Sequence, residues 1–149
     1  MIAIAQSPET TRPDRAHLAA IARGDDSLEN TAVNLKVLAD IRALQGPNRP
    51  NVLAAILRKY LDSSRSSVDA LHDAVRANNP AALQAIAHRL RSSSAQLGAV
   101  AVAARCQELE TMGKRKNLID ADHTLAQLQT DYLIACTIFR NEIAKGTRP

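Results

Sequence analysis

Hydrophobic residues recur every three to four positions along most of this chain, which is the spacing of amphipathic helices. The first clear stripe covers residues 35–44 and follows Asn34, a residue type that commonly caps a helix N-terminus. Gly46 and Pro47 end the stripe. The pattern therefore predicts a short first helix.

Two further stripes occupy residues 52–61 and 68–75, with the serine-rich segment Ser63–Ser67 between them. The serines are compatible with a bend or with one continuous helix, and the pattern leaves both open. The segment Asn78-Asn79-Pro80 ends this helical region near Ala77, and its proline suits the first turn of the next helix.

Three more predicted helices complete the pattern. A helix is predicted from Pro80 to Leu97, ending at Gly98, and another over residues 99–114. Asp120 can cap the last helix, whose apolar stripe runs to Ile143 for about six turns. Because short connections join antiparallel neighbours, we predict an all-α, up-and-down antiparallel four-helix bundle with extra N-terminal helical material.

The chain divides into one domain with two flanking segments. Residues 1–30 contain Ser7-Pro8 and Arg12-Pro13 with sparse apolar spacing, which predicts a flexible arm or linker. Residues 31–145 form the predicted domain, and residues 146–149 form a tail. The apolar opening of the chain is too short for a signal sequence, and no run approaches membrane-spanning length, so we expect a soluble, cytoplasmic protein.

Composition agrees with helices and narrows the functional classes. Only three residues are aromatic, and strand-rich folds depend more heavily on aromatic and β-branched residues. The net charge is +4, but the lysines and arginines do not form a concentrated basic stripe. We therefore expect an acidic protein partner rather than a nucleic acid. The two cysteines, Cys106 and Cys136, fall on apolar stripes, which predicts unpaired core thiols in a reducing compartment.

One histidine stands out on the helix predicted from Pro80 to Leu97. On a helical wheel, Leu83, Ile86, Leu90, Ser94 and Leu97 form the inward stripe, and His88 lies about 160° from its centre. We therefore expect His88 to be exposed. Small residues surround it on the outer face: Ala81, Ala85, Ser92 and Ala95.

Such an imidazole can accept a phosphoryl group, because neutral imidazole is a nucleophile. Arg91, one turn away, and Arg89, next in sequence, can offset the phosphate charge, and Ser92 adds a hydroxyl. A lone surface histidine beside an arginine is usually incidental, however, and His72 also occupies a helical position. Spacing alone does not decide between these interpretations.

The segment His88–Ala99 resembles the signature of histidine-containing phosphotransfer domains, which is His, any residue, Leu, Lys or Arg, Gly, two Ser/Ala residues, two variable residues, Leu, Gly, Ala. Residues 106–110 resemble the family's Cys-x-x-Leu-Glu, and residues 34–40 and 53–61 resemble its opening helices. The likeness covers roughly residues 33–145 and implies the same helical bundle.

The resemblance implies that His88 is the phosphoacceptor, that Arg91 matches the usual lysine, and that Leu90, Leu97 and Gly98 match structural positions. It also implies receiver domains of response regulators or hybrid sensor kinases as partners. The resemblance further implies that their aspartate carries the phosphoryl group beside a Mg²⁺ ion, and that this chain needs no cofactor and has no kinase activity of its own. We expect a monomer, either free-standing or as one domain of a hybrid kinase.

The expected docking surface for a receiver domain consists of Ala81, Gln84, Ala85 and Ala95. One residue departs from the signature, since Ser92 replaces the usual glycine one turn from His88. The small polar side chain can crowd a docking receiver or bind the phosphate. We expect transfer to survive with an altered rate or partner preference.

Two other functions compete with phosphotransfer. A helical adaptor would use the positive charge to bind an acidic partner and would leave His88 incidental. A metal-dependent hydrolase is disfavoured, because His17, His72, His88 and His123 lack ligand spacing and carboxylate partners.

Overall fold

A computed structural model describes residues 32–46 and 51–146 of the chain. All regular structure in these ranges is helical, which confirms the predicted all-α class. The predicted arm, residues 1–30, lies outside the described residues. The helices are α1 (Leu35–Ala43), α2 (Val52–Arg76), α3 (Pro80–Gln96), α4 (Val100–Arg115) and α5 (Ala121–Gly146).

Two helices begin where the sequence predicted, one after the capping residue Asn34 and one at Pro80. The Asn34 side chain accepts a hydrogen bond from the Lys36 backbone N–H at 3.1 Å, at the start of α1. Asn79 does the same for the Ala82 N–H at 3.1 Å, and Pro80 takes the first position of α3. Each cap provides a partner for a backbone donor that the first helical turn leaves free.

The serine-rich segment lies inside one continuous helix, α2, and does not bend it into two. The Ser63 hydroxyl donates to the Tyr60 carbonyl at 3.5 Å, and the Ser67 hydroxyl donates to the Ser63 carbonyl at 3.4 Å. Ser64 is buried and shares a 2.7 Å hydrogen bond with the Tyr132 hydroxyl. Because these hydroxyls find partners within the bundle, the helix continues through the segment.

Helices α2 to α5 form the predicted up-and-down bundle. The two hairpin neighbours α3 and α4 pack most extensively, and α5 contacts both α2 and α4. The Tyr60 ring meets the Phe139 ring edge-on, with centroids 5.5 Å apart. The largest fully buried side chains include Leu38, Leu57, Leu71, Leu83, Leu90, Leu109, Leu128, Ile138 and Phe139.

The turn between α3 and α4 also receives the start of α1. Gly98 adopts a φ of +79°, which L-residues rarely adopt, and its carbonyl accepts a hydrogen bond from the Asn34 N–H at 2.7 Å. A Cβ atom at this position would lie 2.7 Å from the Asn34 carbonyl oxygen. Gly98 therefore ends α3 and holds the start of α1 against the bundle through this hydrogen bond.

The other end of α1 is held by an ion pair. Arg42 Nη2 lies 2.6 Å from Glu142 Oε1 on α5, and Lys145 Nζ lies 3.0 Å from the second carboxylate oxygen. Burial alone would raise the pKa of Glu142, but the hydrogen bonds from Lys145 and Arg42 outweigh it and lower that pKa. No helix within the described ranges is long and apolar enough to cross a membrane.

Gly98→Ala should destabilise the protein by about 2–3 kcal/mol, because alanine is strained in this backbone conformation and its Cβ meets Asn34. Urea denaturation monitored by circular dichroism measures the change. Gly46→Ala is the control, since a Cβ there meets nothing within 4 Å. Equal stabilities of the two variants would contradict this role for Gly98.

Glu142→Gln should lower the free energy of unfolding at neutral pH by about 1 kcal/mol, through loss of the charged hydrogen bonds. The lowered pKa means that the stabilisation is complete above the ordinary carboxyl value of 4.5 and is lost as the pH falls below it. Urea titrations at several pH values should therefore show the two proteins converging in acid. A difference that grows as pH falls would contradict this linkage.

Candidate functional site

His88 lies on the outer face of α3, with its side chain 56% exposed. Leu83, Leu90 and Ser94 face the core as predicted, but Ala87 is fully buried in place of Ile86, which is only partly buried. The centre of the buried stripe thus lies about 20° around the helix axis from its predicted position. The small Ala87 side chain suits this close packing, and the rotation leaves His88 on the surface.

Helix α4 brings an unpredicted carboxylate to this histidine. Glu110 Oε2 lies 2.9 Å from His88 Nδ1, and the Glu110 side chain is only 20% exposed. The two helices approach closely because α4 carries Gly113, where a Cβ would lie 2.6 Å from the Pro80 carbonyl oxygen and 2.8 Å from the Gln84 nitrogen. A larger residue at position 113 would push the helices apart near this contact.

Arg91 completes a cluster of three side chains with His88 and Glu110. Its Nε lies 2.9 Å from Glu110 Oε1, and its Nη2 lies 3.3 Å from His88 Nδ1. The Nε and Oε1 atoms are inaccessible to solvent and form an ion pair without the alignment of a hydrogen bond. Arg91, predicted to face the phosphate, is thus already engaged with a carboxylate.

The other predicted site residues surround this cluster without joining it. Arg89 and Ser92 are exposed next to His88 on the same helix. Gln84, assigned to the docking surface, is partly buried beside Gly113. The three alanines of the predicted docking surface, Ala81, Ala85 and Ala95, are exposed.

Glu110 was missed as a site residue although it ends the Cys-x-x-Leu-Glu segment noted above. The available signal was its position one residue after the buried Leu109, which places it at the edge of the helix interface. The periodicity of α4 alone does not state which residue of α3 faces it. The contact depends on the relative register of two helices.

The cysteine beneath the cluster, Cys106, is a buried core residue. Cys106 is free and fully buried, and burial raises the pKa of its thiol to about 12, with Arg91 lowering it and Glu110 raising it. Cys136 is also buried, and burial raises its pKa. Both thiols are core residues, as predicted. Among residues 32–46 and 51–146, no three metal-ligating side chains converge on one point.

The surface around the cluster is open. A cavity of about 140 Å³ is lined by Arg91, Gln107, Glu110, Thr111 and Lys114. Larger grooves of about 600 and 720 Å³ lie on the outer side of α4 and between α2 and α5, and His88 lines neither of them. The histidine is exposed and lies outside both grooves, which suits contact with a macromolecule better than enclosure of a small molecule.

Comparison with known proteins places this geometry in a family. The protein-family model for the Hpt domain matches residues 55–136, which is more than half of the chain. The fold is similar to the crystal structure of histidine-containing phosphotransfer protein B from Pseudomonas aeruginosa PAO1, with a TM-score of 0.69 and 26% sequence identity. The similarity covers 76% of this chain and 96% of that chain. No curated protein matched by sequence. The matched family model, which spans the exposed His88 and its partners on α3 and α4, shows that this chain belongs to the Hpt domain family.

Proposed function

We propose that this chain is a phosphorelay intermediate that accepts a phosphoryl group on His88 from a receiver-domain aspartate and passes it to another receiver aspartate. Family membership supports a general role in phosphotransfer. The observation that carries the assignment to His88 is its geometry, since the imidazole is more than half exposed while a carboxylate on the next helix holds Nδ1.

The proposed reaction needs little chemistry from this chain. The imidazole supplies a nucleophile in a fixed position, and in-line exchange follows when the receiver brings its aspartyl phosphate to it. Mg²⁺ and most of the charge stabilisation would come from the receiver, so the chain itself would need no cofactor and would have no kinase activity. Arg89 and Arg91 would add positive charge near the transferred group.

The proposed docking surface surrounds His88 on α3. Ala81 and Ala85 lie about two turns and one turn before the histidine, Ala95 lies about two turns after it, and all three are exposed. Small side chains allow another protein's backbone and loops to approach the imidazole, whereas long flexible side chains would have to be ordered first. Gln84, which is partly buried against Gly113, would contribute only at the edge.

His88→Gln should abolish phosphotransfer, because an amide cannot accept the phosphoryl group as a nucleophile. The measurement is incubation with receiver domains radiolabelled by acetyl phosphate, followed by a test for acid-labile label on the chain. His123→Gln, which changes an exposed histidine on α5, is the matched control and should be labelled normally. Label retained by His88→Gln would reject His88 as the acceptor and leave an adaptor role as the better explanation.

Ala85→Arg should slow transfer by at least about tenfold, because the long charged side chain obstructs the proposed docking surface without entering the core. Ala126→Arg is the control, since Ala126 is an exposed alanine on α5, a helix that packs against α2 and α4. Circular dichroism checks that both variants fold. Wild-type transfer by Ala85→Arg would place the receiver on another surface.

A further inference from the structure

The Ser92 side chain offers an unused hydrogen-bond donor one turn from His88. Several other hydroxyl groups on the helices bond back to a carbonyl of their own helix, namely those of Ser63, Ser67, Ser93 and Thr137. The Ser92 hydroxyl makes neither this bond nor any other hydrogen bond to the residues that the structure describes, and its side chain is exposed. The hydroxyl is therefore available to a group outside the chain.

Ser92 lies on the side of His88 that the charged cluster leaves open. At 100° per residue, Ser92 lies about 40° around α3 from His88 in one direction, and Arg91 lies about 60° in the other. Glu110 belongs to the side of Arg91, because its two oxygens contact Arg91 Nε and His88 Nδ1 at 2.9 Å each. The second ring nitrogen, Nε2, has no partner among the described residues. The unpaired ring nitrogen and the unpaired hydroxyl are thus both left for an incoming group.

We propose that the Ser92 hydroxyl donates a hydrogen bond to a phosphoryl oxygen on His88 and so stabilises the phosphorylated chain. This inference rests on the proposed phosphotransfer at His88. Side chains four residues apart on a helix have Cβ atoms about 5–6 Å apart, a gap that a serine hydroxyl and a phosphorylated imidazole together span. Ala85, one turn before the histidine on the same side, has no donor, and Arg91 is already paired with Glu110. Ser92 therefore adds a donor that the glycine of the family signature does not have.

This hydrogen bond exists only while the phosphoryl group is on His88, so it acts on the equilibrium of the transfer. In the forward step, a lone pair of Nε2 bonds to phosphorus while the bond from phosphorus to the receiver's aspartyl oxygen breaks, and that electron pair leaves with the aspartate. Ser92 keeps its proton and donates only a hydrogen bond. The equilibrium should then favour phosphohistidine by about fivefold, which corresponds to one hydrogen bond of about 1 kcal/mol.

Crowding of the receiver by Ser92 would have a different signature. A side chain that only obstructs docking raises the barrier for transfer in both directions equally. The rates then change, while the final distribution of the phosphoryl group between the two free proteins stays the same. Rate and equilibrium together therefore distinguish a phosphoryl-binding hydroxyl from an obstructing side chain.

Ser92→Ala and Ser92→Gly test the inference as a pair. A receiver domain radiolabelled by acetyl phosphate, and then freed of it, is incubated with each variant. Samples quenched at successive times give the transfer rate and the final ratio of label on the two proteins. Both variants lack the hydroxyl, so both should shift that ratio about fivefold toward the receiver. Ser93→Ala is the matched control and should keep the wild-type ratio, because the Ser93 hydroxyl already donates to the Leu90 carbonyl.

The phosphorylated chain alone provides a second readout that does not depend on the receiver. A donated hydrogen bond favours the dianionic form of the phosphoryl group over its protonated form. A ³¹P NMR titration should therefore give a lower pKa of the phosphoryl group in the wild type and in Ser93→Ala than in Ser92→Ala. A merely structural role for Ser92 would change the stability of α3 without moving this pKa.

Two results would overturn the inference. One is a wild-type ratio of label in both Ser92 variants, and the other is faster transfer at the wild-type ratio in Ser92→Gly alone, which would assign Ser92 to obstruction. Circular dichroism checks that the variants fold. Failure of the proposed function is a separate result, since label on His88→Gln would reject the acceptor in an experiment that contains no Ser92 variant.

Discussion

The close contact between α3 and α4 is the constraint on which the site depends. At Gly113 the helices approach so closely that a Cβ would lie 2.6 Å from the Pro80 carbonyl oxygen. At the other end of the hairpin, Gly98 turns the chain in a left-handed conformation. These two glycines set both the distance and the register of the helices. Glu110 therefore meets His88 instead of pointing into solvent one turn away.

Buried polar contacts fix the registers of other helix pairs in the same way. The Tyr60 hydroxyl bonds Ser94 at 2.7 Å and joins α2 to α3, while Ser64 bonds Tyr132 at 2.7 Å and joins α2 to α5. Burial raises the pKa of Tyr132 to about 12, so its hydroxyl stays protonated even in moderately alkaline solution. Apolar stripes of leucine and alanine tolerate sliding, whereas a buried hydroxyl without its partner is costly. The hydroxyl pairs thus specify one arrangement of the bundle.

Much of the fold was predictable because its signals are local. Asn34 and the segment Asn79-Pro80 mark helix starts through their own side chains, and the predicted end of α3 at Gly98 agrees with its backbone conformation. The sequence did not decide whether the serine-rich segment bends the chain or continues the helix α2, because the partner of Ser64 lies 68 residues away on α5. The exposure of His88 was predicted from one helix. Its contact with Glu110 was not, since that contact depends on how two helices are aligned.

The same alignment explains why an arginine suits position 91, where the family signature usually carries lysine. The carboxylate of Glu110 already holds Arg91 through Nε, and Nη2 lies 3.3 Å from the imidazole. A guanidinium has five donors in a rigid fork, so it can keep Nε on Glu110 while its terminal nitrogens face a group on the ring. A lysine has a single nitrogen and would have to divide one charge between Glu110 and the phosphoryl group that His88 would carry under the proposed function. Under the proposed function, the carboxylate of Glu110 beside His88 therefore favours, at position 91, a cation that can contact both Glu110 and a phosphoryl group on the ring.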